Sequence, residues 1–150
     1  MDTFLFDEHI IGPIKSRRLG NSLGINLLPT DFKFCNFDCV YCECGWTDKQ
    51  EMVHTKFPES HDIIEMLMNK IQSLSEKEKY IDSITFAGNG EPTLHPQFAQ
   101  IVKDVILVRD LMLPDTKISV LTNATMLHKP EVLEALQMVD KQILKLDAGT

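Results

Sequence analysis

The chain has 150 residues, of which 43% are hydrophobic and 25% are charged, and its formal net charge is -7. This composition predicts one globular domain, residues 1–150, and excludes collagen-like, low-complexity and disordered chains. An acidic chain has no overall field that attracts polyanions, so a nucleic-acid contact would need a local basic patch. No run is apolar enough to cross a bilayer, and the acidic N-terminus does not resemble a secretory signal. We therefore expect a cytoplasmic protein with no membrane partner.

Short apolar strands alternate with helical patterns along the chain. The predicted strands are residues 23–28, 82–87, 117–122 and 142–148, and the predicted helices are residues 61–76, 96–112 and 130–138. This alternation predicts βαβ units and a parallel sheet. Parallel sheets place their chemistry at the carboxyl ends of the strands. The informative loops should therefore be residues 29–44, 88–92, 122–123 and 147–150.

The four cysteines of the chain all lie between residues 35 and 44, so they cannot cross-link distant segments. Cys35, Cys39 and Cys42 form a C-x3-C-x2-C run, and thiolates bind iron–sulfur clusters and structural zinc. A structural zinc site usually has a second cysteine knuckle far away in the sequence, which this chain lacks. Three cysteines at i, i+4 and i+7 would also share one face of a buried helix. Iron–sulfur binding is the favoured interpretation, and the zinc and core interpretations stay as alternatives.

The C-x3-C-x-aromatic-C run, with Tyr41 before the last cysteine, resembles the signature of the radical S-adenosylmethionine (SAM) superfamily. Residues 12–24 and 88–96 resemble prokaryotic members described as Fe–S oxidoreductases and grouped with wyosine-type tRNA modification enzymes. The resemblance implies an α/β fold, a partial (β/α) barrel of parallel strands with about six units. Because only four strands are predicted, we expect a barrel truncated after the fourth strand. Either further residues or a second copy would then cover its edge.

The resemblance also implies an activity. Cys35, Cys39 and Cys42 would bind a [4Fe–4S] cluster, and SAM would bind its free iron. Reductive cleavage of SAM would give methionine and a 5′-deoxyadenosyl radical that abstracts hydrogen from an unknown substrate, with tRNA as one candidate. A reductant such as flavodoxin or ferredoxin would be the partner. The alternatives are a glycyl-radical activating enzyme and a non-catalytic zinc- or cluster-binding module.

The resemblance extends to the residues that would contact SAM. Tyr41 would lie near the adenine, Gly88, Gly90 and Glu91 would hold the amino group, and Asn123 would contact the ribose. Glycines admit a ligand close to the backbone, and a carboxylate can pair with an ammonium group. Asn89 departs from the usual GGEP form of this segment. Glu91 on a solvated turn, and Asn123 as a cap, are the structural alternatives.

The remaining polar residues give weaker expectations. Cys44 matches no ligand position and is interpreted as a spare thiol. Arg17 and Arg18 would either grip a phosphate or carboxylate or lie on a solvated turn. Lys145 and Asp147 would form an ion pair or line a substrate pocket.

Strand alternation predicts which face of the sheet each side chain occupies. The pocket face would carry the polar members of the strands, Asn26, Thr85 and Lys145. The helix face would carry Ile25, Phe86 and Leu144.

Overall fold

The computed structural model describes residues 5–36, 55–78 and 80–144. Five strands in these residues form one sheet in sequential order: β1 (Ile10–Ser16), β2 (Gly20–Ile25), β3 (Ser83–Phe86), β4 (Lys117–Thr122) and β5 (Lys141–Leu144). Strands β2 to β5 are parallel neighbours, and β1 pairs antiparallel with β2. Three helices accompany them: α1 (Ser60–Ser73), α2 (Phe98–Met112) and α3 (Pro130–Met138). The described sheet is open, which agrees with the partial barrel expected from the sequence.

The sequence pattern did not predict β1. Gly12 and Pro13 interrupt its apolar alternation, and the register with β2 shifts between Ile11 and Ile14. Proline lacks a backbone N–H, so strands tolerate it at a sheet edge or at a bulge, and β1 provides both settings. Strand β1 is therefore an additional antiparallel strand at the edge of the sheet. The four predicted strands correspond to the parallel strands β2 to β5.

The predicted boundaries that fall on described residues agree with the structure to within three residues. The largest shift is in the first predicted strand, residues 23–28, which occupies Gly20–Ile25 and is displaced by three residues at both ends. It ends early because the Asn26 side-chain oxygen accepts a hydrogen bond from the Leu28 N–H at 3.1 Å, which turns the chain out of the ladder. The fourth predicted strand, residues 142–148, corresponds to β5, which is described as far as Leu144. Residues 145–148 lie outside the described residues.

The hydrophobic core lies between the sheet and the helices. Phe86 of β3 is fully buried, and its ring meets that of Phe98 of α2 edge-on, with centroids 6.0 Å apart. From α1, Leu67 is also fully buried. The helix face predicted for Ile25 and Phe86 is thus the packed one. Leu144, at the end of the last strand, is 42% exposed.

The opposite face of the sheet carries hydroxyl groups. Thr85 shares hydrogen bonds with Ser22 at 2.8 Å and Ser83 at 3.0 Å, and Ser83 continues to Ser119 at 3.0 Å. This chain of side chains crosses β2, β3 and β4 on the face away from Phe86. Thr85 therefore lies on the predicted pocket face, whereas Lys145 lies outside the described residues.

Candidate active site

The cysteine loop meets the glycine segment through a short parallel bridge between Phe34 and Gly90. The Phe34 N–H donates to the Asn89 carbonyl at 2.8 Å, and the Phe34 carbonyl accepts from the Glu91 N–H at 3.0 Å. Cys35 follows the bridge directly and is partly exposed. Because β2 and β3 are parallel, the loops that follow them leave the same end of the sheet, as predicted.

The bridge requires glycine at position 90. Gly90 has φ of +136°, and a Cβ built on it would lie 1.9 Å from the Phe34 carbonyl oxygen. Gly88 is similarly constrained, since its Cβ would lie 2.4 Å from the Asn26 side-chain oxygen. Both glycines therefore allow neighbouring chain segments to pack against the loop after β3.

Glu91 is buried, with 3% of its surface exposed, and its carboxylate accepts four hydrogen bonds. Oε2 accepts from the Thr93 N–H at 3.3 Å, the Thr93 hydroxyl at 2.5 Å and the Thr122 hydroxyl at 2.6 Å. Oε1 accepts from the Asn123 N–H at 2.7 Å. All four donors are neutral, and no ion pair to Glu91 occurs among the described residues. The solvated-turn alternative for Glu91 is thereby excluded.

Asn123 joins the end of β4 to the cysteine loop. Its side-chain nitrogen lies 2.8 Å from the Asn36 side-chain oxygen and 3.9 Å from the Cys35 sulfur. Its side-chain oxygen accepts from the Thr125 N–H at 3.1 Å and the Thr125 hydroxyl at 2.7 Å. The predicted ribose contact stays a prediction, and a ribose there would compete with Asn36 or Thr125.

Asn89 has a structural role that the sequence analysis did not predict. It is fully buried, and its side-chain nitrogen donates to the carbonyls of Phe6 at 2.8 Å and Pro29 at 2.9 Å. Its side-chain oxygen accepts from the Phe6 N–H at 2.8 Å. Asn89 thus links the N-terminal segment, through Phe6, to the loops that follow β2 and β3. The only signal was a polar side chain between two glycines.

An aromatic group supports the cysteine loop from the side of α1. Phe57 lies between Phe34 and His95, with ring centroids 4.8 and 5.0 Å away. The His95 Nδ1 accepts from the Gln97 N–H at 2.9 Å, so Nε2 carries the proton that bonds to the Pro58 carbonyl at 2.7 Å. Burial lowers the pKa of His95. His95 is therefore a neutral structural link between the residues before α1 and those before α2.

Several predicted site residues lie outside the described residues: Tyr41, Cys39, Cys42, Cys44, Lys145 and Asp147. Accordingly, within residues 5–36, 55–78 and 80–144 no group of three metal-ligating side chains is found. Their predicted roles stay predictions. No helix in the described part of the chain is long and apolar enough to cross a membrane.

Arg17 and Arg18 lie far from the site. Both are exposed on the turn between β1 and β2, at the end of the sheet opposite Cys35 and Glu91. At about 3.3 Å per residue, the length of β2 separates the two ends by about 20 Å. These arginines therefore do not contribute to the site at the carboxyl ends of the strands.

The chain is similar to several curated proteins. It is 36% identical over 137 residues to a UPF0026 protein of Methanocaldococcus jannaschii, covering 91% of this chain and 40% of that protein. It is 34% identical over 140 residues to a UPF0026 protein of Helicobacter pylori, covering 93% of this chain and 42% of that protein. A Brachyspira hyodysenteriae protein named GTPase Obg is 34% identical over 142 residues, covering 95% of this chain and 19% of that protein. The chain thus spans less than half the length of these relatives.

No solved structure matches the chain significantly. The model of the Radical SAM superfamily matches residues 30–146, which include the cysteine run, the glycine segment and Asn123. On this match, the chain belongs to the radical SAM superfamily.

Proposed function

We propose that the chain forms the cluster- and SAM-binding core of a radical SAM enzyme. Cys35, Cys39 and Cys42 bind a [4Fe–4S] cluster in this proposal, and SAM binds beside it at Gly90 and Glu91. The observation that carries the proposal is the Phe34–Gly90 bridge, because it holds the first cysteine of the run against the glycine segment. Family membership supports an enzyme in general, and this contact supports the location of its cofactors.

The described residues suit these cofactors. Cys35 offers a soft sulfur donor at a partly exposed position. Glu91 offers a buried carboxylate whose hydrogen-bond donors among the described residues are all neutral. A buried charge without a counter-ion is costly, so an ammonium group that reaches it is strongly favoured. The amino group of SAM is such a cation.

The loops at this end of the sheet position the reactants. When bound, the cluster supplies the electron that cleaves a carbon–sulfur bond of SAM. The Phe34 bridge holds Cys35 beside the glycine segment, where Glu91 would bind the SAM amino group. We further propose that a flavodoxin or ferredoxin reduces the cluster and that the protein acts in the cytoplasm. A tRNA substrate is proposed from the resemblance alone, since Arg17 and Arg18 lie at the opposite end.

Anaerobic reconstitution of the full chain with iron and sulfide tests the proposal. We expect a brown protein with about four irons per chain, which releases 5′-deoxyadenosine from SAM when reduced by dithionite. Cys35→Ala should abolish both properties, whereas Cys44→Ala, the matched control, should retain them. A colourless protein that holds one zinc ion would contradict the proposal and support the binding-module alternative.

The role of Glu91 is tested separately by Glu91→Gln, which keeps the shape of the side chain and removes its charge. We expect an unchanged iron content and a SAM dissociation constant raised about tenfold or more, because a charge-assisted contact is lost. Glu134→Gln on the exposed side of α3 is the control. An unchanged SAM affinity in Glu91→Gln would remove Glu91 from the SAM site.

A further inference from the structure

Three side chains next to Cys35 form a closed ring of hydrogen bonds. The Asn123 amide nitrogen donates to the Asn36 oxygen at 2.8 Å, the Asn36 nitrogen donates to the Thr125 hydroxyl at 2.7 Å, and that hydroxyl donates to the Asn123 oxygen at 2.7 Å. Each group acts once as donor and once as acceptor around the ring. The ring joins the cysteine loop to the segment after β4.

The ring fixes the orientation of the Asn123 amide. The Thr125 backbone N–H, which can only donate, points at the Asn123 side-chain oxygen at 3.1 Å. The NH₂ group must therefore point towards Asn36 and Cys35. One of its two hydrogens is used by Asn36, which leaves the other free to donate to the Cys35 sulfur, 3.9 Å from the nitrogen.

A second contact fixes the Asn123 backbone. Its N–H donates to the buried Glu91 carboxylate at 2.7 Å. The residue is thus held on one side by the proposed SAM-binding loop and on the other by the ring. It has little freedom to turn its amide away from the sulfur.

We propose that Asn123 is a positioning residue that donates an N–H···S hydrogen bond to the cluster ligand Cys35 and thereby raises the reduction potential of the cluster. This inference deepens the proposed function and rests on it. Reduction adds negative charge to the cluster and its thiolates. A donor at the sulfur stabilises the reduced form more than the oxidised form.

The test is a redox titration of the reconstituted full chain, in which the reduced cluster is followed by electron paramagnetic resonance. In Asn123→Ala we expect the same iron content and a midpoint potential lowered by up to about 59 mV, a tenfold change in the one-electron equilibrium. Asn21→Ala is the matched control, because that amide donates to the Tyr80 carbonyl at the other end of the sheet. Its potential should equal that of the unmodified protein.

A second variant guards against loss of the loop structure. Asn123→Asp keeps the size of the side chain and the acceptor for Thr125, but it has no N–H and adds a negative charge, so its potential should fall further than that of Asn123→Ala. An unchanged potential in either cluster-bearing variant would overturn the inference and leave the proposed function intact. Loss of the cluster from both variants would also overturn it and assign Asn123 to loop assembly. Failure of the unmodified protein to bind a cluster would defeat the proposed function itself.

Discussion

Single residues at the site are constrained by backbone geometry as much as by chemistry. At Gly90 the constraint is severe, because any Cβ would overlap the Phe34 carbonyl. At Gly24 in β2 it is slight, since a Cβ there would meet the nearest atom of Ile11 at an ordinary 3.5 Å. The same substitution should therefore cost much more stability at Gly90 than at Gly24.

We expect Gly90→Ala to lower the free energy of unfolding by at least about 2 kcal/mol, from backbone strain and loss of the Phe34 bridge. Gly24→Ala should change it by less than about 1 kcal/mol, since alanine restricts the unfolded chain. Urea unfolding of the two variants checks this difference. Equal stabilities would show that the bridge does not restrain the loop.

His95 gives the stability a pH dependence of defined sign. Because burial lowers its pKa in the folded protein, the unfolded chain binds the proton first as the pH falls. The contribution of His95 to the free energy of unfolding is therefore present above the ordinary histidine pKa of about 6.5 and is lost as the pH falls below it. Protonation would also end the bond that Nδ1 accepts from Gln97.

The expected outcome is that His95→Gln loses less stability than the unmodified protein between about pH 7.5 and pH 5.5, on either side of that pKa. Leu107→Gln, at an exposed position that carries no titrating group, serves as the control and should keep the original pH dependence. Chemical denaturation at the two pH values measures this. Parallel curves for His95→Gln and the unmodified protein would contradict it.

At the scale of elements, the helices owe their stability to their packed faces. Leu67 of α1 is fully buried against the sheet, whereas Leu107 of α2 is 67% exposed. Leu67→Ala should cost about 2–5 kcal/mol, because it removes buried methyl groups and leaves a cavity. Leu107→Ala should lie within about 0.5 kcal/mol of the unmodified protein. Thermal or urea unfolding compares the two, and a large loss in Leu107→Ala would indicate that its side chain is covered in solution.

The elements also show which features a sequence pattern can predict. Helices α2 and α3 and strand β4 have regular periodicity, and their predicted bounds fall within two residues of the structure. Strand β1 was not predicted, because Pro13 interrupts its apolar alternation and only its pairing with β2 defines it as a strand. Within the candidate site, the resemblance singled out Glu91 and Asn123 but did not predict their contacts. The ring through Asn36 and Thr125 depends on residues far apart along the chain, which no local pattern contains.

For the molecule as a whole, the two ends of the sheet are separate in position and in charge. The β1–β2 turn carries Arg17 and Arg18, and the other end carries Cys35 and Glu91. Replacing both arginines by alanine should leave SAM affinity and 5′-deoxyadenosine release unchanged in the reconstituted protein. A parallel loss of SAM affinity and release would contradict this separation. An effect confined to a large substrate would instead assign the turn to substrate docking.

The contact between Asn123 and Cys35 has a consequence for synthesis of the protein. The two residues are 88 positions apart along the chain. At about 5–20 residues per second, a ribosome adds Asn123 roughly 4–18 s after Cys35. The nascent cysteine loop therefore exists without its amide donor, the Glu91 support and most of the sheet. If the loop binds a cluster as proposed, we therefore expect cluster delivery to follow the emergence of β4 from the ribosome.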